Sequence, residues 1–133
     1  MNRDELRSGC LARLNERAIE HPSGHQGKLA ARYLMRRSGG DAAELMFEKG
    51  PKSPPKLWVA KRFVHAMLSD ESLEFRFAPA AALFTANGKD GKPVYGRHSA
   101  LKPMKQLAHT DLICFRINTL GDLEKILEHI GKQ

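Results

Sequence analysis

The C-terminal part of the chain carries two hydrophobic patterns of different period, and this combination limits the possible folds more than any other feature. From Leu112 to Ile117, side chains alternate between two faces as expected of a β-strand. Thr119 and Asp122 then give a favourable start for a helix, because a threonine side chain can accept a hydrogen bond from a free backbone N–H group. The apolar positions that share one stripe of this helix are Leu120, Leu123, Ile126, Leu127 and Ile130. Such a stripe must pack on another element, so the sequence predicts a C-terminal helix lying on a sheet.

The first part of the chain predicts a second helix and a strand pair. Residues 3–20 lack proline and contain good helix formers, so they are predicted to form an N-terminal helix. Residues 27–37 and 41–48 fit either strands or helices, and a glycine turn separates them. If both are strands, they form a hairpin whose tip carries Arg36 and Arg37.

The middle of the chain begins with a basic loop and continues with strands. Residues 49–56 contain three prolines, which exclude a helix or a central strand there. Trp58 is predicted to lie in a strand that is followed by a short helix to Leu68. Apolar residues then alternate with charged ones from Leu73 to Phe77, the pattern of a half-buried strand.

Two further segments complete the predicted elements. Residues 83–85 and 93–95 flank turn-forming glycine dipeptides, so they are predicted to pair as a hairpin. Pro103 suits the first turn of a short helix that would run to His109. Strands and helices do not alternate strictly. The chain is therefore predicted to be one basic α+β domain over residues 1–133, with a mostly antiparallel sheet on which the N-terminal and C-terminal helices pack.

Length and composition narrow the class of protein. A chain of 133 residues with 41% hydrophobic residues is long enough to bury one core. No apolar stretch approaches the ~20 residues that a membrane-spanning helix needs, and the N-terminus has no apolar signal segment, so we expect no membrane association. Two cysteines, Cys10 and Cys114, fit buried hydrophobic positions better than a disulfide, which favours the cytoplasm.

The net charge favours an anionic partner. The chain has 22 Lys and Arg residues against 15 Asp and Glu residues, which gives +7 and a pI near 9.7. Such an excess attracts nucleic acids, acidic proteins and anionic membranes. Charge alone does not distinguish these partners.

Residues 87–105 concentrate this positive charge among glycines. Asp90 is the only acid in the segment. Its glycines let backbone amides turn towards a ligand without a side chain in the way. The basic residues of the segment are Lys89, Lys92, Arg97, Lys102 and Lys105. This combination predicts an anion-binding loop.

The end of this segment offers further groups for a nucleic acid. Arg97 can fork two phosphate oxygens, and His98 and Ser99 add hydrogen-bonding groups beside it. Tyr95 could stack on a base. Arg97 is expected to serve binding and not folding, because the segment offers it few acidic partners. The run matches neither the phosphate-loop nor the dinucleotide-binding motif.

The leading hypothesis is a nucleic-acid-binding module, with DNA favoured over RNA, that uses basic loops at one edge of the sheet. No cofactor is predicted. The predicted binding residues are Arg36, Arg37, Lys52, Lys56, Lys89, Lys92, Tyr95, Arg97, His98, Ser99, Lys102 and Lys105. Phosphate contacts would give affinity, and side chains at the end of the glycine-rich segment could reach bases.

The sequence leaves two alternatives open. A metal-dependent nuclease would need clustered carboxylates, for which Asp41, Glu44 and Glu48 are the candidates. A protein-interaction or oligomerisation module would use the C-terminal helix stripe. No metal site is predicted from His21 and His25, because proline and glycine break the helix between them. No catalytic residue is assigned.

Overall fold

A computed structural model describes residues 1–85 and 94–132, with Thr85 described by its backbone only. It contains three α-helices and eight strands within these residues. The helices are α1 (Arg3–Arg17), α2 (Lys61–Val64) and α3 (Leu120–Gly131). The strands are β1 (Ile19–Glu20), β2 (Ala30–Arg36), β3 (Ala42–Glu48), β4 (Lys56–Ala60), β5 (Glu74–Ala78), β6 (Phe84–Thr85), β7 (Val94–Tyr95) and β8 (Leu112–Arg116). Short 3-10 helices span His65–Met67, Ala80–Ala82 and Ser99–Leu101.

Six of the strands form one antiparallel sheet in the order β1-β2-β3-β4-β8-β5. The last strand in sequence, β8, lies between β4 and β5. Strands β6 and β7 pair separately as a two-stranded ribbon. The predicted α+β class, with an antiparallel sheet and a helix near each end of the chain, is confirmed. Within the described residues, no helix combines the length and apolar character that a membrane span requires.

Helix α1 begins at a capping box. The Asn2 side chain accepts a hydrogen bond from the Glu5 backbone N–H at 2.8 Å, and the Glu5 carboxylate accepts one from the Asn2 backbone. Gly9 allows a close approach to α3, because a Cβ there would lie 2.9 Å from a Leu120 methyl group. The helix ends at Ala18, where the backbone becomes extended.

Helix α3 forms as the sequence predicts. The Thr119 hydroxyl accepts a hydrogen bond from the Asp122 backbone N–H at 3.0 Å and so caps the helix. The stripe residues Leu123, Ile126, Leu127 and Ile130 are fully buried. This stripe is therefore part of the core and is not an exposed surface for a partner.

The two faces of the sheet have different coverings. Register places Leu57, Phe75 and Phe115 side by side on one face. Tyr33, on the same face through the register of β2 to β4, donates a hydrogen bond to Asn15 of α1 at 3.0 Å. We call this side the helix face. The opposite side, which carries the Trp58 and Arg76 side chains, is called the loop face.

Residues 99–109 cover the loop face over β2 and β3. Arg32 of β2 donates to the Ala100 carbonyl at 2.7 Å, and Gln106 exchanges hydrogen bonds with Glu44 of β3. The predicted helix from Pro103 to His109 is wrong. The Gln106 backbone N–H binds the Glu44 carboxylate at 2.6 Å, so it cannot join a helical ladder. Apolar side chains of this segment enter the core; they are Ala100, Leu101, Met104 and Leu107.

Candidate nucleic-acid interface

A cleft of about 340 Å³ lies on the loop face beside the region covered by residues 99–109. Strand residues form its floor, and residues 78, 79, 82 and 96–98 form its border. The polar and charged side chains that line it are Glu48, Lys56, Trp58, Arg76, Arg97 and His98. Two of them, Lys56 and Arg76, also line a smaller depression of about 170 Å³ with Arg116. The two depressions therefore form one surface over β4, β8 and β5, which we call the β4-β8-β5 surface.

The floor of the cleft is a hydrogen-bonded and stacked group. Trp58 is 5% exposed, and its indole N–H donates to the Glu48 carboxylate at 3.0 Å. The Arg76 guanidinium lies over the Trp58 ring, with 5.3 Å between the guanidinium carbon and the ring centroid. Trp58 thus supports Arg76 from below, and Arg76 is the side chain presented to solvent.

A row of charged residues crosses the same surface two residues along the strands from Trp58 and Arg76. Register places Glu48, Lys56, Arg116 and Glu74 on successive strands, with Lys56 directly opposite Arg116. Glu74 partly balances Arg116, because its carboxylate lies 3.4 Å from the Arg116 Nε atom, and both side chains are about half exposed. Lys56 is half-buried.

The sum of charges on this surface is positive. Lys56, Arg76, Arg97 and Arg116 contribute four positive charges, against two negative charges from Glu48 and Glu74. The excess of two is suited to an anionic ligand that lies across the strands.

His98 is held at the border of the cleft in a defined orientation. Its Nδ1 atom accepts a hydrogen bond from the Ala100 backbone N–H at 3.1 Å, so the neutral ring carries its hydrogen on Nε2. Nε2 lies 3.8 Å from the Glu48 carboxylate. The imidazole therefore presents a donor towards the interior of the cleft.

Arg97 has a structural function that the sequence did not indicate. Its guanidinium donates hydrogen bonds to the carbonyl groups of Ala78, Leu107 and Ala108 at 2.8, 3.1 and 3.3 Å. The expectation that it serves binding and not folding is corrected by these contacts. Burial lowers the pKa of Arg97, although Tyr95 and Asp111 oppose the decrease. Its hydrogen-bond partners are neutral carbonyls, and Asp111 is the acidic residue that acts electrostatically on the guanidinium.

The other predicted and described residues of segment 87–105 have varied surroundings. Tyr95 donates its hydroxyl to the Ala108 carbonyl at 2.9 Å, and its ring packs edge-on to Phe84. Lys102 lies 5.5 Å from the centre of the Tyr95 ring. Ser99 accepts a hydrogen bond from the Gln26 side chain at 3.0 Å. Lys105 is exposed. None of these four residues lines the cleft described above.

The hairpin arginines belong to other parts of the molecule. Arg37 pairs with Asp41 at 2.8 Å and lies 4.1 Å above the Phe63 ring. Arg36 lines a separate depression beside the end of α1. Lys52 is exposed in the loop between β3 and β4. Two more predicted residues, Lys89 and Lys92, lie outside the described residues.

The carboxylates considered for a metal site have separate partners. Asp41 pairs with Arg37, and Glu48 accepts from Trp58. Glu44 is 6% exposed and lies 2.6 Å from the His21 Nε2 atom. Over residues 1–85 and 94–132, no group of three or more His, Cys, Asp or Glu side chains is arranged to hold a metal ion.

The cysteines are buried and unpaired with each other. Burial raises the pKa of Cys10 to about 11. Burial, and to a smaller extent Glu48, raise the pKa of Cys114 to about 12. Both thiols are therefore protonated at neutral pH and are poor nucleophiles.

Arg76 and Arg116 were not among the site residues predicted from the sequence. A signal was present, because each arginine occupies the non-apolar position of an alternating strand, next to Phe75 and Phe115 respectively. What the sequence lacked was the neighbour relation of β4, β8 and β5, which brings both arginines beside Lys56.

Comparison of the chain with models of protein families, with curated proteins and with solved structures found no match.

Proposed function

We propose that the protein is a nucleic-acid-binding module and that the β4-β8-β5 surface binds the phosphate backbone. The observation that carries the proposal is the placement of Lys56, Arg116 and Arg76 on three neighbouring strands of one sheet face. Antiparallel neighbours are separated by about 4.8 Å, so these cations form one continuous patch and not isolated surface charges.

The chemistry of the three cations suits this function. Arg76 is supported from below by Trp58, and the outer side of its planar guanidinium can stack under a base or fork two phosphate oxygens. Lys56 and Arg116 can each contact a phosphate directly. His98 at the border adds an N–H donor. Lys89 and Lys92, which lie outside the described residues, add two positive charges to the sequence of segment 87–105.

Binding of this kind depends strongly on salt, because cations that contact phosphates release counterions. If the protein contacts ~4–6 phosphates of duplex DNA, the logarithm of affinity should fall against the logarithm of salt concentration with a slope of roughly −4 to −5. Fluorescence anisotropy with labelled duplex DNA, single-stranded DNA and RNA of matched length measures this slope and ranks the ligands. DNA is the ligand that we expect to rank first. Absence of binding at low salt to all three would overturn the proposal.

Single substitutions locate the interface. Lys56→Ala and Arg116→Ala should each weaken binding several-fold for all sequences, and should each reduce the steepness of the salt slope by about 1. Arg3→Ala is the matched control, because Arg3 is exposed on α1 at the helix face and its loss changes the net charge equally. If Arg3→Ala weakens binding as much as Lys56→Ala, net charge and not this surface governs binding.

A further inference from the structure

Strand β5 forms one edge of the sheet and carries two exposed phenylalanines. β5 pairs with β8 along one side, and the described part of the chain places no strand along its other side. Phe75 is 38% exposed and Phe77 is 43% exposed. This departs from the prediction of a half-buried strand, since both residues belong to its apolar face.

Contacts within the chain leave both rings available. Phe75 packs edge-on against Phe115, with 6.1 Å between the ring centroids. Lys61 lies 4.6 Å above the Phe77 ring. An edge strand with free backbone groups and exposed aromatic rings is a site of strand pairing with another chain. The opposite edge of the sheet, β1, has only two residues and cannot offer a comparable surface.

The sequence of β5 is complementary to itself in one antiparallel register. When two copies pair about a two-fold axis at Phe75, Glu74 of each copy lies opposite Arg76 of the partner subunit. The two Phe75 side chains then meet at the axis, and each Phe77 lies just beyond Glu74, the first residue of β5 in the partner subunit. Opposite charges and aromatic pairs at directly opposed positions both stabilise antiparallel strands.

Neighbouring registers lack this complementarity. Pairing about Arg76 would place two guanidinium groups against each other, and like charges directly opposite are destabilising. Pairing about Phe77 would place Arg76 opposite Ala78 and leave Glu74 without a cationic partner in the other copy. A pairing in which one strand slides by a single residue, so that Phe75 faces Arg76, is excluded. It would join the helix face of one copy to the loop face of the other.

We infer that β5 is a homodimerisation edge and that two copies pair through it in the register centred on Phe75. The two six-stranded sheets then join into one continuous sheet. The two-fold axis stands perpendicular to the sheet, so both loop faces lie on the same side of the dimer. This inference shares Glu74 and Arg76 with the β4-β8-β5 surface, but it concerns oligomeric state, so it is tested without nucleic acid and does not rest on the proposed function.

Cysteine cross-linking tests the register directly. In Phe75→Cys the new thiols face each other across the axis, at a Cα separation of about 4.5–5.5 Å that a disulfide can bridge. In the matched control Phe77→Cys, the two thiols are offset by four residues, or roughly 14 Å along the strands. Under oxidised glutathione, Phe75→Cys should form a covalent dimer on non-reducing gels, whereas Phe77→Cys and the parent should not. Equal cross-linking of both variants, or of neither, would overturn the inference.

Charge exchange gives a second, non-covalent test by sedimentation equilibrium. Glu74→Arg and Arg76→Glu should each be monomeric at concentrations where the parent is dimeric, because each places like charges opposite one another. An equimolar mixture of the two variants should recover the dimer mass, since position 74 of each chain then faces an opposite charge at position 76 of the other. A monomeric parent up to about 100 μM, where weak edge pairing is populated if Kd is micromolar, or a mixture that stays monomeric, contradicts the assignment.

Discussion

Three side chains of residues 95–98 direct polar atoms to the backbone of their own chain. Arg97 binds three carbonyl groups, Tyr95 binds the Ala108 carbonyl, and His98 accepts from the Ala100 N–H. Every residue offers a carbonyl, so sequence alone does not show which carbonyls the fold leaves unpaired near an arginine. This is why Arg97 is indistinguishable in the sequence from a residue that serves binding alone.

We expect Arg97→Ala to destabilise the protein. Three backbone carbonyls would lose a charged donor, which corresponds to a decrease of about 1–3 kcal/mol in the free energy of unfolding. Arg97→Lys should recover only part of the loss, because one ammonium group does not reproduce the planar fork. Urea denaturation measures both values, and Lys105→Ala provides an exposed control that should change stability by less than about 0.5 kcal/mol. Parental stability of Arg97→Ala would show that these hydrogen bonds contribute little.

At the scale of secondary-structure elements, the apolar stripe that the sequence predicts for α3 is the buried face of that helix. Leu123 and Leu127 are fully buried, so Leu123→Ala or Leu127→Ala should lower the free energy of unfolding by roughly 2–5 kcal/mol. Leu29→Ala gives the same chemical change at a residue that is 55% exposed, and should cost less than about 0.5 kcal/mol. Chemical denaturation of the three variants makes the comparison. Equal losses at buried and exposed leucines would contradict the described core.

The connection between α2 and β5 is tied to α3 through Asp70. Its carboxylate accepts from Ser72 at 2.6 Å and from Lys125 at 3.0 Å. These hydrogen bonds, Ser72 first and Lys125 second, lower the pKa of Asp70 to about 2. The depressed pKa means that the folded state is favoured by this group above the unfolded pKa of about 4, and that the contribution disappears as pH falls towards 2.

Asp70→Asn should therefore flatten the dependence of thermal stability on pH between about 4 and 2. Melting temperatures of the variant and the parent, measured across this interval in one buffer series, make the test. Glu71→Gln removes a neighbouring charge that takes no part in the Ser72–Lys125 group, and it should keep the parental dependence. A parental pH profile for Asp70→Asn would show that these hydrogen bonds do not persist in solution.

Elements whose sequences keep a clear hydrophobic period could be predicted from sequence, whereas β2 and β3 could not. Strand β8 and helix α3 were predicted from their periods, and α1 was predicted from its composition. The helix was predicted to reach residue 20, but it ends at Arg17, and residues 19 and 20 form β1. Residues 27–37 and 41–48 were ambiguous between helix and strand. Most side chains of β2 and β3 are buried, because α1 and residues 99–109 cover opposite faces, and this removes the alternation that identifies a strand.

At the scale of the whole molecule, the candidate site depends on which strands are neighbours. Lys56, Arg76 and Arg116 are far apart in sequence and meet because β8 lies between β4 and β5. Local patterns specify the strands but not their order. The site was consequently predicted to lie in basic loops, and of its predicted residues Lys56, Arg97 and His98 line the cleft.

The central position of β8 also has a consequence for the order in which the molecule can assemble. During synthesis, β1 to β4 leave the ribosome early and can pair as successive hairpins. Strand β5 is made after them but has no neighbouring strand until residues 112–116 are made. Both edges of β5 therefore stay unpaired until then. Completion of the sheet therefore depends on the last part of the chain. A nascent or shortened chain that lacks β8 leaves the β8-facing edges of β4 and β5 open to aggregation or to a chaperone.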